Sequence, residues 1–312
     1  MSEHQLSSTD LAGLLLGACA LAEQAAHAIM AVYSRPFDVV EKADLSPLTE
    51  ADMASHYLLD AGLKLLEPRF PVLSEESGAR IFVDRTRWKR YWLIDPLDGT
   101  REFVAHNGEF AVNIALIEDG APILGIVLAP ARGDVCFATR GGGAWRAWQK
   151  SRQAGDTADQ SRRAGDTADQ SRQAGESRQA GESSNSAMQP LHTRKAGSPV
   201  RVAVSRSHHP AELSGLLSAM GTHELCALGS SLKFSGIAAG EQDIYPRLSS
   251  SSCEWDIAAG QCIVEQAGGA VLDRTGKPLR YNQRAELLVP AFVAVGDPSV
   301  DWLARMNWRT GS

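Results

Sequence analysis

The residues best able to do chemistry are carboxylates in short, widely separated stretches. "YWLIDPLDGTREF", Tyr91 to Phe103, ends an apolar run in Asp95 and Asp98, with Pro96 between them and Gly99-Thr100 directly after. Like charges set so close repel, so the arrangement needs a reason. Two carboxylates on a stiff turn, with the Leu97 carbonyl between them, form a hard oxygen site of the kind Mg²⁺ accepts. An ordinary Asx turn followed by a helix cap explains D-x-x-D-G-T equally well when the motif stands alone. Further acids strengthen the chemical reading. Glu75 and Glu76 follow an apolar segment in "PVLSEES", Asp256 opens a helix in "CEWDIAAG", and Asp52 follows Thr49 at capping-box spacing in "LTEAD". Singly, each has a plain structural role: a solvated pair, an N-cap beside Trp255, a cap acid.

The elements that must position these acids are legible from periodicity. Leu11, Leu14, Leu15, Ala18, Leu21, Ala22, Ala25 and Ile29 recur at helical spacing. That segment is apolar enough to suggest a leader or an anchor. It lacks a basic n-region, and Glu23, Gln24 and His27 interrupt it, so a core helix is expected and no transmembrane segment. A second helix is predicted from Leu48 to Leu66, closed by Pro68. "YWLID" predicts a short buried strand. "FAVNIALIEDGAPILGIVLAP" predicts a hairpin, and "DVCFATRGGGAWRAW" another. After "PVRVAVSRSH", strand and helix signals alternate, so α+β with α/β layering is expected.

The chain divides into an N-terminal α+β half over 1–150, a tract over 151–190 and a C-terminal α/β half over 191–312. The middle tract holds the near-identical decapeptides "SRQAGDTADQ" and "SRRAGDTADQ" followed by shortened copies. It offers scarcely an apolar side chain larger than Ala, too little to offset the entropy of ordering, so a flexible insertion is expected. A partner-docking or marginally helical arm is the rival. The 312 residues carry a net charge of −6, with 44% hydrophobic and 22% charged residues. This is a soluble globular composition with no basic face for nucleic acid. Five scattered cysteines without a C-x-x-C pair argue against disulfides and thiolate zinc sites.

Together the motifs "DPLDGT", "WDIAAG", "SEE" and "LTEAD" resemble the signature set of the inositol monophosphatase superfamily of metal-dependent phosphatases. Within it, "SPLTEAD", "VLSEES", "NGEFAVNIALI", "PILGIVLAP", "SRSH", "GSSLKF" and "YPR" resemble the bacterial 3′(2′),5′-bisphosphate nucleotidase (CysQ-type) branch. The similarity runs over roughly 15–148 and 197–292 and omits the repeats. The resemblance implies a five-layer αβαβα sandwich. It also implies two or three Mg²⁺, one held by Glu75, Asp95 and the Leu97 carbonyl, another by Asp95, Asp98 and Asp256. Asp52 and Thr100 would orient and deprotonate the attacking water. Substrate would meet Glu75, Leu97, Asp98, Gly99, Thr100 and Asp256, and the nucleotide would meet Ser205, His208, Gly229 and Lys233. Without the family, a lone Lys or His there is an ordinary surface residue.

The implied activity is hydrolysis of adenosine 3′,5′-bisphosphate to AMP and phosphate, with the sulfated analogue as a further substrate. An inositol or sugar monophosphatase and a non-catalytic nucleotide or metal sensor are the alternatives. The implied location is cytoplasmic, with loose attachment at the inner membrane compatible with the resemblance; the oligomeric state is open. Two departures stand out: the serine-rich "SSSSCE" before Trp255, and Arg101 where Lys is common.

Overall fold

The computed structural model describes residues 6–42, 47–77, 85–148, 188–206 and 211–308. His208 and nearly all of the repeat tract lie outside these residues. The 26-residue helix α1 (Ser8–Tyr33) starts in a capping box between Ser7 and Asp10. It buries Leu11, Leu14, Ala18, Ala22, Ala25, Ala26, Ile29 and Val32 against α2 (Glu50–Leu63) and a large sheet. The helix is long and apolar enough to cross a membrane by composition, but here its apolar stripe is part of a protein core.

The large sheet has seven strands in spatial order β3 (Val72–Ser74), β4 (Arg90–Asp98), β5 (Ala111–Glu118), β6 (Ala121–Ala129), β7 (Asp134–Thr139), β8 (Gly143–Trp148) and β9 (Gln189–Leu191). Only β3–β4 is parallel; the rest is an antiparallel meander. The β5–β6 turn is Asp119-Gly120 with φ 48° and 77°, the geometry a two-residue hairpin loop demands. Strand β9 pairs with β8, so residues 189 and 190, at the end of the tract read as insertion, are edge strand. A short ribbon, β1 (Val39–Glu41) with β2 (Pro47–Thr49), precedes α2.

A second, five-stranded sheet has the order β11 (His223–Leu228), β10 (Val200–Ser205), β12 (Ile244–Arg247), β14 (Phe292–Val295), β13 (Ala270–Asp273). Between the two sheets lie α5 (Leu232–Ala238) and α6 (Glu254–Gln266), and all three layers share one apolar core. The outer face of the second sheet is covered by α4 (Ala211–Met220) and α7 (Trp302–Arg305). The cores thus separate five layers, αβαβα, as expected. Helix α6 lies so close to β6 that a Cβ on Gly125 would stand 2.4 Å from the Ala259 carbonyl. That contact fixes the height of α6, and with it Asp256, over the large sheet.

Strand β4 is longer than the short run expected from "YWLID". Its register shifts between Asp95 and Asp98, so the strand bulges past Pro96 instead of ending there. A bulge accommodates the missing N–H of proline and re-aims the side chains on either side.

Candidate active site

The bulge sets the first acids in place. Asp95 is 2% exposed, and its Oδ1 accepts the Leu97 N–H at 3.0 Å. Gly99, at φ 88°, turns the chain into α3 (Thr100–Val104). Asp256 is the third residue of α6, where its Oδ2 caps the Cys253 N–H at 2.9 Å. One carboxylate oxygen from each of Asp95, Asp98 and Asp256 falls within 4.8 Å of the others. Glu75 follows β3, its N–H bonded to the Ile94 carbonyl, so it stands beside Asp95 in the same cleft. Burial, then repulsion from Glu75, Asp98 and Asp256, holds Asp95 well above the ordinary carboxylate range. Burial, then Asp98 and Glu75, does the same to Asp256.

Asp52 does not line the cleft. Its Oδ2 accepts the Thr49 N–H and hydroxyl at 2.8 and 2.7 Å, completing the predicted capping box. Its Oδ1 stands 3.2 Å from the hydroxyl of Thr100, which does line the cleft. Thr100 Oγ1 is also 3.3 Å from the Leu97 carbonyl. Asp52 therefore addresses the cleft through Thr100. Burial raises its pKa, against the lowering effect of the Thr49 bonds.

Lys42, which the sequence reading passed over, donates to Glu75 at 2.7 Å and to Glu76 at 2.5 Å. Burial opposes its charge, but the two glutamates outweigh burial and its pKa is raised. Neither Glu75 nor Glu76 joins the three aspartates whose oxygens converge; both are tied to Lys42 instead.

The acidic cleft, about 580 Å³, runs into a smaller lobe of about 180 Å³. Both share Asp98, Gly99, Arg101, Glu102, Ser251 and Asp256. The lobe brings together Ser205, Gly229 and Lys233 of the expected set and adds Arg206 and Arg247. Lys233 is 4% exposed; its ammonium donates to the Ser230 carbonyl at 2.5 Å and sits 5.1 Å over the Tyr245 ring. It thus shapes the wall through the turn as well as by its charge. Arg206 forks onto Glu109 at 2.9 and 2.5 Å, and Glu109 accepts the Gly229 N–H at 2.7 Å. Arg247 donates to Ser251 at 2.7 Å and reaches Ser205 at 3.4 Å, and its buried Nε has no partner among the described residues. Both arginines lie inside motifs already singled out, "SRSH" and "YPR", at or just after a strand end, and that position was the available signal.

Asp98 joins the two halves of the chain. Its Oδ2 accepts Ser230 Oγ at 2.6 Å, the Ser231 N–H at 2.6 Å and Asn113 Nδ2 at 3.3 Å. The turns carrying Asp98 and Ser230 approach so closely that a Cβ on Gly99 would stand 3.2 Å from Ser230 Cβ. A Cβ on Gly229 would meet the Glu109 carbonyl at 2.8 Å. Glycine is required on both sides of this crossing.

The donor set suits a hard divalent cation: oxygens only, Asp95 buried and the other two partly so, with Asp95 and Asp256 pushed up by burial and by the neighbouring carboxylates, which added positive charge would relieve. Lys42 reaches Glu75 and Glu76 but neither of those aspartates.

Comparison with known proteins agrees. The sequence profile of the inositol monophosphatase family matches residues 10–293. The 3′(2′),5′-bisphosphate nucleotidase CysQ of Escherichia coli (strain K12) is 42% identical over 276 residues, covering 88% of this chain and 96% of the relative. The crystal structure of CysQ from Bacteroides thetaiotaomicron, 32% identical, superposes with a TM-score of 0.70 over 90% of this chain and 96% of that one. An inositol monophosphatase from Zymomonas mobilis, 22% identical, shares the fold at a TM-score of 0.68, over 97% of this chain and 100% of that one. The motifs, the layer order and these likenesses place the chain in the inositol monophosphatase family, to which it belongs.

Proposed function

We propose that this chain is a metal-dependent 3′(2′),5′-bisphosphate nucleotidase that hydrolyses adenosine 3′,5′-bisphosphate to AMP and phosphate. The observation that carries the reading is the continuity of two lobes: a cleft that gathers Glu75, Asp95, Asp98 and Asp256 opens directly into a pocket to which Arg206, Arg247, Lys233 and several serines contribute. A monophosphate needs only the first. A nucleotide carrying a second anionic group uses the second as well, with Arg206, Arg247 and Lys233 supplying positive charge.

Glu75, Asp95 and the Leu97 carbonyl would hold one Mg²⁺, and Asp95, Asp98 and Asp256 another. When bound, the ions supply positive charge to the phosphoryl oxygens and acidify water. The protein's own part is positional. Thr100 presents its hydroxyl to the cleft, and Asp52, behind it, holds that hydroxyl and can take up a proton passed through it. The raised pKa of Asp52 makes it a better proton acceptor than an exposed aspartate. No nucleophilic side chain is required, so water attacks phosphorus directly.

The decisive experiment is a Mg²⁺-dependent phosphate-release panel over adenosine 3′,5′-bisphosphate, its sulfated analogue and inositol monophosphate. The expected result is a preference for the bisphosphate nucleotide. Faster turnover of inositol monophosphate would move the assignment to a sugar phosphatase. No Mg²⁺-dependent release from any of them would leave the non-catalytic sensor.

A further inference from the structure

Asp98 is held unlike the other acids of the cage. Three donors converge on its Oδ2, and among the described residues none reaches Oδ1. The donors come from elsewhere in the fold: Asn113 from β5, Ser230 and Ser231 from the turn before α5. Ser231 Oγ donates to Asn113 Oδ1 at 2.6 Å, which commits the amide nitrogen of Asn113 to Asp98. The three residues form a closed set around a single carboxylate oxygen.

The backbone of this turn is informative. Ser230 adopts φ 54°, left-handed, a conformation that a residue with a Cβ reaches only at an energetic cost. The adjacent glycine does not relieve it. Gly229 is required one position earlier, where a Cβ would collide with Glu109 and Glu102, and it is Ser230 that takes the left-handed angle. A glycine at 230 would be the unstrained choice. Keeping a hydroxyl there is understandable if the hydroxyl has a task, and the group it meets is Asp98.

We propose that Ser230, Ser231 and Asn113 are positioning residues: they occupy Oδ2 of Asp98, hold the carboxylate at one angle, and leave Oδ1 to face the cation. The inference rests on the metal reading above and deepens it. Donors on one oxygen absorb part of the negative charge that Asp98 would otherwise set against Asp95 and Asp256. They also remove the rotation that a free carboxylate would have to surrender on binding. The second half of the chain thereby sets the cation affinity of an acid on the first.

The test is calorimetric titration of the metal-stripped full chain with Mg²⁺ alone, without nucleotide, alongside thermal unfolding of the same samples. Ser230→Ala removes the hydroxyl and keeps the backbone cost; Ser230→Gly removes both. Positioning predicts that each raises the Mg²⁺ dissociation constant about 10-fold. The melting temperature of the stripped Gly variant should equal or exceed that of the unmutated chain and lie above that of the Ala variant. Ser231→Ala, which frees the Asn113 amide, should give a smaller rise. Dissociation constants in both Ser230 variants equal to the unmutated chain's would overturn the proposal while leaving the metal site intact. So would affinities that merely follow melting temperature, with the Gly variant unchanged and the Ala variant weak. Absence of Mg²⁺ binding by the unmutated chain would overturn the metal reading itself, and the clamp with it.

Discussion

Two populations of buried acid share this molecule. Glu118, 7% exposed, is met by Arg90 at 2.5 Å and Arg140 at 2.7 Å. Burial pushes its pKa up, the two guanidiniums pull harder, and the net effect is a lowering. Asp297, 5% exposed, accepts from the Ser299 hydroxyl and N–H, the Ala196 N–H and Lys195, and is drawn down to about 2. Asp95, 2% exposed, and Asp256, part-buried, face other carboxylates instead, and burial first and those neighbours second hold both high. The difference separates structural acids from functional ones. Glu118 and Asp297 receive enough cations or donors from the chain to lower their pKa; Asp95 and Asp256, with one backbone N–H each against several carboxylates, do not, and the balancing positive charge is left to something the chain does not encode.

Removing an acid from each population should give opposite signatures. Asp256→Asn is expected to lower phosphate release at least ~100-fold, by losing charge stabilisation at the phosphoryl group. The same change should raise the melting temperature of the metal-stripped protein, since a repulsion disappears. An active variant, or one that melts lower without metal, breaks the distinction. Mg²⁺ itself should stabilise the unmutated protein by about 2.7 kcal/mol at a concentration 100 times its dissociation constant, read from urea unfolding with and without chelator. Glu118→Gln should do the reverse of Asp256→Asn. Stability should fall by about 1 to 2 kcal/mol, moderated because Arg140 is partly exposed. Its turnover should match that of the unmutated enzyme.

The pH dependence sharpens the contrast. Asp95 and Asp256 have folded pKa values raised above the unfolded ones, so above the ordinary carboxylate range the folded state binds more protons than the unfolded state. Stability of the stripped protein should therefore decline as pH rises from about 4 toward neutrality. Saturating Mg²⁺ should flatten that decline. Asp297, lowered from 3.8 to about 2, acts in the other direction: its contribution is complete above the unfolded value and vanishes as pH falls through about 2. Denaturant midpoints across pH, with and without Mg²⁺, measure both limbs. Smallest of all should be the effect of deleting 151–170, both decapeptide copies. Arg146 and Gln189 pair where β8 meets β9, so roughly halving the length of chain that connects these strands is expected to change stability by only about 0.6 kcal/mol.

Much of this organisation was legible in the sequence because it is local. The stripe of α1, the Thr49–Asp52 capping box and the Asp119-Gly120 turn each depend on neighbours within a few positions. The acids of the cage could be singled out as types, and their motifs carried the family resemblance. What stayed hidden was contact across distance. Ser230 and Ser231 meet Asp98 from 132 and 133 positions away, and Arg206 meets Glu109 from 97. No periodicity encodes such pairings. Lys42 was passed over because a lone lysine beside a short strand carries no signal until Glu75 and Glu76 are folded next to it. The extension of β4 past Pro96 was hidden for a different reason: proline ordinarily ends a strand, and only the register shift reconciles the two.

Asp256 belongs to a helix sandwiched between the two sheets, while Asp95 and Asp98 lie on the first of them. A chain emerging from the ribosome exposes Asp95 and Asp98 long before Asp256 is made. The three-aspartate cluster is therefore complete only once α6 has docked between the sheets, so a ligand that needs all three acids at once reports a finished fold.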